Sequence, residues 1–247
     1  MANPVVVIAA AGAVSPIGLS LAETATSARA RLARLHEIEW RDRRFEPFIA
    51  GTVPDAGLPE LVPELAASHL QYREARMLRL AQVAIEEALA GLPADTGPVP
   101  LLLGLPEQHT TRPINPGQFL KHLVTQTGAR IVVGRSVAVA KGRAAGLIAI
   151  KQAAARLGSG ECEFALVGGV DSLVDLYVLG TLDLQGRVRN AVNSDGFSPA
   201  EGAAFLLLCT PETARTRGLN ARVSILGCAF GREPGHLYAD APYLGEG

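Results

Sequence analysis

Apolar residues fall along this chain in two rhythms. Consecutive apolar runs read as strands covered on both faces, and apolar residues three or four apart read as helices lying on a core. Val5-Val6-Val7-Ile8, continued by Ala9-Ala10-Ala11-Gly12, predicts a buried first strand. After Ser15-Pro16-Ile17-Gly18, an Ala-rich stretch from about Leu19 to Leu35 is compatible with a helix. Phe48 to Val53 predicts a weaker strand, and residues 54 to 70, with Pro54, Pro59 and Pro63, an irregular excursion. The clearest helix runs from Arg73 to Leu92, where Met77, Leu80, Ala81, Ala84, Ile85, Ala88 and Leu89 recur at helical spacing.

Pro100 to Leu105 predicts a third strand, and a proline-bearing loop leads to a helix from Gly117 to Thr127. Ile131 to Val133 and Ser136 to Ala140 read as one or two strands. The stretch from Arg143 to Leu157 is apolar around most of its circumference and predicts a helix buried between layers. Phe164 to Val167, ending at Gly168-Gly169, is another strand, Val174 to Leu184 a looser region, and Gly202 to Leu208 and Val223 to Phe230 two further β-like runs around a short helix from Pro211 to Arg217. This alternation predicts an α/β fold with a mostly parallel sheet between helical layers.

Composition narrows the function classes. Lys+Arg 23 against Asp+Glu 24 gives a net charge of -1, so no whole-chain field draws the protein to nucleic acid or anionic lipid. The first apolar run is too short to span a bilayer and lacks the basic segment that precedes a secretory signal core, so it reads as a buried strand, and the cysteine pattern leads us to expect a reducing, cytoplasmic setting. Cys162, Cys209 and Cys228 are widely spaced, with no CxxC pair, and favour neither disulfides nor a metal site. Gly168-Gly169 is not a phosphate-binding loop and Gly12 to Gly18 lacks the GxGxxG spacing, so no nucleotide or other cofactor is expected.

Four ordered stretches carry a resemblance: VVVIAAAGAVSPIG at 5 to 18, LRLAQVAIEEALAGL at 78 to 92, RLGSGECEFALVGGVDS at 156 to 172 and NSDGFSPAEGAAFLLL at 193 to 208. In order and spacing they resemble the N-terminal half of the β-ketoacyl synthases, the condensing enzymes of fatty-acid and polyketide synthesis, and the last is the most specific. The resemblance implies a thiolase-like half-fold formed by residues 1 to 247 as a single domain. The tail at 225 to 247 resembles the strand and loop that lead into the second half of full-length synthases.

The same resemblance locates the chemistry. Active members carry a cysteine at the N-terminus of the buried central helix, where the helix dipole favours the thiolate. Here the corresponding CxxG pattern falls on Arg143-Ala144-Ala145-Gly146, so Arg143 occupies the nucleophile position. A guanidinium stays protonated and has no lone pair free to attack a thioester. Cys162 is expected between a helix and a strand, Cys209 at a strand end and Cys228 inside a strand. Ser136 is the one nearby hydroxyl and has no local base. His36, His69, His109, His122 and His236 do not sit in the family's histidine contexts, and the histidines that support malonyl decarboxylation lie in its second half. Asp195 and Glu201 belong to a structural signature of the family. Lys141 and Arg143 oppose the helix dipole; they either hold an anion or point to solvent or an ion-pair partner.

No catalytic residue is therefore expected. The resemblance implies a cysteine-less member, like a chain length factor, that pairs with an active synthase as a homo- or heterodimer and meets acyl carrier protein. Ser136, Val137, Ala138, Val139 and Ala140 are the candidate interface, because in that family the strand ahead of the nucleophile pairs across the two-fold axis. Two other readings stay open: the N-terminal part of a split condensing enzyme or acyl transferase, and a binding module for acyl carrier protein or acyl-CoA.

Overall fold

A computed structural model describes residues 4–107, 112–128, 130–190 and 193–231. Its centre is a six-stranded sheet in the order β5-β4-β6-β7-β1-β8. The strands are β1 (Val6–Val14), β4 (Leu101–Leu105), β5 (Val137–Ala140), β6 (Phe164–Ser172), β7 (Glu201–Cys209) and β8 (Val223–Ile225). Strand β4 pairs parallel with β5 and β6, whereas β7 runs antiparallel to both β6 and β1. Strands β1, β4, β5 and β6 thus share one direction, and the expected mostly parallel mixed sheet is found. A separate hairpin joins β2 (His36–Arg41) to β3 (Pro47–Ala50).

Alternation along the strands divides the apolar residues between two faces. Leu101, Leu103, Leu105, Phe164 and Leu166 point into one cluster with helix α3 (Tyr72–Leu89) and helix α4 (Pro116–Thr127). Leu102, Ala165 and Val167 point into the other, with helix α5 (Ala145–Gly158). Met77, Leu80, Ala81, Ala84, Ile85 and Ala88 on α3 are fully buried, as their spacing predicts, and each of the larger ones adds about 1.5–3 kcal/mol. The helix lies so close to the sheet that a Cβ on Gly12 would stand 2.1 Å from the Ala84 carbonyl oxygen.

Four expectations need correction. Helix α1 spans only Leu21–Arg29, because Arg31 takes a left-handed φ of 57° and the chain turns into β2, which its mostly exposed, half-buried alternation hid. The region from Val174 to Leu184 holds helix α6 (Leu176–Leu184), whose first turn Asp175 caps by accepting from the Tyr177 and Val178 amides at 3.0 and 3.1 Å. Being apolar on all sides, α6 shows no helical period in sequence. Ile131 forms an isolated bridge to Val99, with a 3-10 turn at Val133–Arg135 after it, and β8 stops at Ile225, leaving Cys228 outside any strand. Finally, α5 is covered on one face only. Ala145, Ala149, Ala153, Ala154 and Leu157 are buried, but Leu147 is 54% exposed.

One buried ion pair ties these layers together. Arg76 on α3 donates from Nε to both Glu201 oxygens at 3.2 and 3.0 Å and from a terminal nitrogen to Oε1 at 2.6 Å. That same terminal nitrogen also donates to the Val53 carbonyl, and the other terminal nitrogen donates to Asp55 at 2.7 Å. Glu201 is completed by the Val53 amide at 2.8 Å and the Ser172 hydroxyl at 2.9 Å. Burial pulls the Arg76 pKa down, but the Glu201 hydrogen bond and the charges of Glu201 and Asp55 more than reverse this, so it is raised overall. Arg76→Met is expected to lower stability by about 3–5 kcal/mol in urea denaturation, since it strands the buried carboxylate, and pairing it with Glu201→Leu should recover most of the loss.

Candidate functional site

The strands that share one direction end together, and their C-terminal ends open a cleft of about 510 Å³. Its walls are Ala13 to Ser15 after β1, Gly104 to Pro106 after β4, Gly169 to Asp171 on β6, and the facing start of β7 at Gly202 to Ala204. The 3-10 turn Gly142–Ala144 and the first residues of α5 close the remaining side. Sites at the carboxyl ends of parallel strands are the general rule in such sheets. Here the approach of α5 is set by small residues: a Cβ on Gly104 would lie 2.8 Å from the Gly146 amide nitrogen. Gly142 makes the turn possible with a φ of +55°, a left-handed conformation that side chains disfavour, and the Glu107 side chain packs beside it.

Arg143 lies in that turn, exposed and lining the cleft, with no hydrogen-bond or ion-pair partner among the described residues. Lys141 is exposed just before it and does not line the cleft. Of the two open readings, neither residue is engaged in an ion pair within the described chain.

The other polar side chains of the cleft are already occupied. Ser15 and Thr24 hydroxyls lie 3.0 Å apart, and Thr24 donates to the Gly18 carbonyl at 3.2 Å. Asp171 accepts from Arg73 at 2.7 Å. No cysteine or histidine is among the residues lining the cleft, so no nucleophile-base pair is assembled there by the described residues. Sequence reading did not single out Ser15, Thr24 and Asp171 as site residues: the first two meet across the turn into α1, and Asp171 joins them on the cleft wall only through the pairing of β6 in the sheet.

The remaining candidates are scattered. Ser136 sits at the far end of β5 from the cleft, accepting from the Leu101 amide at 2.9 Å and donating to the Val132 carbonyl at 2.8 Å. It pins the start of the strand. Val137, Ala138, Val139 and Ala140 form β5 itself, which is half-buried and stands at the edge of the sheet. His122 Nδ1 lies 2.8 Å from Glu74, His36 Nε2 lies 3.0 Å from the Thr52 hydroxyl, and His69 occupies a left-handed turn. His109 and His236 fall outside the described residues. Asp195 is exposed in a turn, whereas Glu201 is locked by Arg76, so the two carboxylates are not brought together.

Cys162 and Cys209 lie where a thiolate is penalised. Cys162 follows α5 with its pKa raised by burial, and Cys209 at the end of β7 is fully buried, its pKa pushed by burial and then by Glu163 to about 11. At pH 8 an alkylating reagent is therefore expected to leave Cys209 unmodified in the folded chain and to reach it only after denaturation, read by peptide mass mapping. No helix among the described residues is long and apolar enough to cross a membrane.

Comparison with known proteins bears on this geometry. Residues 130–214 match the family model of the β-ketoacyl synthase N-terminal domain. Over 104 residues, which are 39% of this chain and 7% of the relative, the sequence is 35% identical to the pikromycin polyketide synthase component PikAIII of Streptomyces venezuelae. The ketosynthase from module 6 of the bacillaene synthase of Bacillus subtilis 168 superposes with a TM-score of 0.71 at 15% identity, covering 97% of this chain and 46% of that one. The ishigamide ketosynthase/chain length factor gives 0.67 at 22% identity, covering 92% and 63%. The chain thus spans less than two thirds of the length of each of these three relatives. The matched segment holds β5, α5, β6, α6 and β7 and is similar to the β-ketoacyl synthase N-terminal domain, and the chain as a whole has the ketosynthase fold over the part it shares with these structures.

Proposed function

We propose that this chain, as one domain over residues 1–247, is a non-catalytic β-ketoacyl-synthase-like subunit that pairs with an active synthase in fatty-acid or polyketide synthesis. The observation that carries the reading is the occupant of the α5 turn. Arg143 lines the cleft at the position that the CxxG resemblance gives to the family's cysteine, and no other lining residue offers an activated thiol or an imidazole. A guanidinium can attract an anion or a carboxylate there but cannot carry an acyl group.

The association would run along β5. As the edge strand beside β4 it leaves one row of backbone donors and acceptors without a strand partner among the described residues, and such an edge favours pairing with another chain. Ala138 packs toward the core beside α3 and α4, which leaves Val137 and Val139 on the opposite face. Solved relatives include the ishigamide ketosynthase/chain length factor and a type II acyl carrier protein in complex with its ketosynthase. They support a synthase and a carrier protein as the partners to test first.

A second reading has its own support. The outer face of α5, with Leu147 exposed and Ile148 and Ile150 half-buried, is the apolar surface that a further half of the fold would cover. On that reading the chain is the N-terminal part of a split condensing enzyme or acyl transferase.

Size-exclusion chromatography with a full-length synthase from the same source is expected to give a complex, and Val139→Arg is expected to abolish it without changing the circular dichroism spectrum. A lone monomer with every such synthase would sink the subunit reading. Incubation with malonyl-carrier protein should release no carbon dioxide above background, and Arg143→Cys should create an alkylatable thiol without restoring condensation. Carbon dioxide release by the chain with a complementary half would favour the second reading.

A further inference from the structure

The cleft is not the protein's one hollow. A second, of about 300 Å³, lies between the β2-β3 hairpin and the start of α3 and shares no lining residue with the cleft. Two aromatic rings wall it: Trp40 from β2 and Tyr72 from α3, with centroids 5.5 Å apart and planes at 77°. A group lodged in such a corner meets aromatic surface on two sides. Tyr72 is 54% exposed and Trp40 half-buried, so neither ring is sealed by the fold.

Glu39 lies on its rim, exposed and without a hydrogen-bond or ion-pair partner among the described residues. Asp55 also lines the corner, but it is ion-paired with Arg76 and Arg79 at 2.7 and 2.8 Å. The guanidinium of Arg76 also borders the hollow, but its donors are turned to Glu201, Asp55 and the Val53 carbonyl. The Tyr72 phenol registers the balance. Burial raises its pKa first, and the pull of Arg76 in the other direction is opposed by Glu201, Asp55 and Glu39. An anion would face the unpaired Glu39 carboxylate here, with most of the Arg76 donors already bonded. A compact cation would meet two ring surfaces, whose faces are electron-rich, and an unpaired carboxylate.

We propose that the hollow bounded by Trp40, Tyr72, Glu39 and Asp55 binds an alkylammonium group, either of a small amine or of a lysine side chain. The rings supply contact and cation–π attraction, and Glu39 supplies the counter-charge. The site stands apart from the cleft and does not depend on the subunit reading.

Trp40 is the chain's one tryptophan, so its fluorescence reports on this hollow without a label. Choline titrated into the full chain at constant ionic strength is expected to give a saturable change. Its uncharged isostere 3,3-dimethylbutanol should bind about tenfold more weakly, Glu39→Gln should weaken choline about fivefold, and Tyr72→Leu should weaken it further. Equal binding of the uncharged isostere, an unchanged affinity in Glu39→Gln, or no saturable response to any amine would overturn the proposal. A parallel titration with a short lysine-containing peptide distinguishes the sources: tighter binding of the peptide assigns the site to a protein partner, and tighter binding of choline assigns it to a small amine.

Discussion

The buried pair of Arg76 and Glu201 is the constraint on which the rest of the molecule hangs. It joins the long helix α3 to the first residue of β7, and through Val53, Asp55 and Ser172 it draws in the segment after the hairpin and the end of β6. Taking two charges out of water is costly, and the cost is offset only because every Glu201 oxygen and most of the Arg76 donors are bonded. Arg73, one helical turn earlier, repeats the device at smaller scale by holding the Ser172 carbonyl and the Asp171 carboxylate, each at 2.7 Å. These contacts fix the ends of β6 and β7, which form two walls of the cleft. A carboxylate that might have served as an acid or base is therefore used as a brace.

The geometry of the cleft follows from small residues as much as from charged ones. Gly104 allows the first turn of α5 to approach β4, and Gly142 provides the left-handed turn that leads into it. A condensing-enzyme relative could present a nucleophile at such a turn, aimed over the strand ends and backed by a helix N-terminus. This chain presents Arg143 there instead, and a positive charge at that position is unfavourable toward the helix dipole. On the proposed reading, the scaffold of the site is kept while its reactive group is replaced.

Two open surfaces bear on assembly. The β5 edge offers backbone hydrogen bonds, and the outer side of α5 offers apolar contact. They differ in physical character, since a strand edge recognises another strand through directional bonds whereas an apolar helix face accepts any surface that fits it. The aromatic corner around Trp40 adds a third kind of recognition, based on charge and ring faces.

Much of the fold was legible in the sequence wherever burial is regular. The 3.6 period of Met77 to Leu89 announced α3, which buries one face, and the consecutive apolar runs announced β1, β4, β6 and β7, which are covered on both. The ordered motifs drew attention to the turn at Arg143, and the structure puts that residue on the wall of the cleft. What could not be read depended on neighbours distant in sequence. Helix α6 is apolar on all sides and so has no period, and β2 alternates too weakly to show without its partner β3. The one-sided cover of α5, the brace around Glu201 and the meeting of Trp40 with Tyr72 were decided by tertiary structure. Each is a relation between segments, and a relation of that kind has no local signature: Glu201 becomes a buried anion only when Arg76, 125 residues away, arrives to hold it.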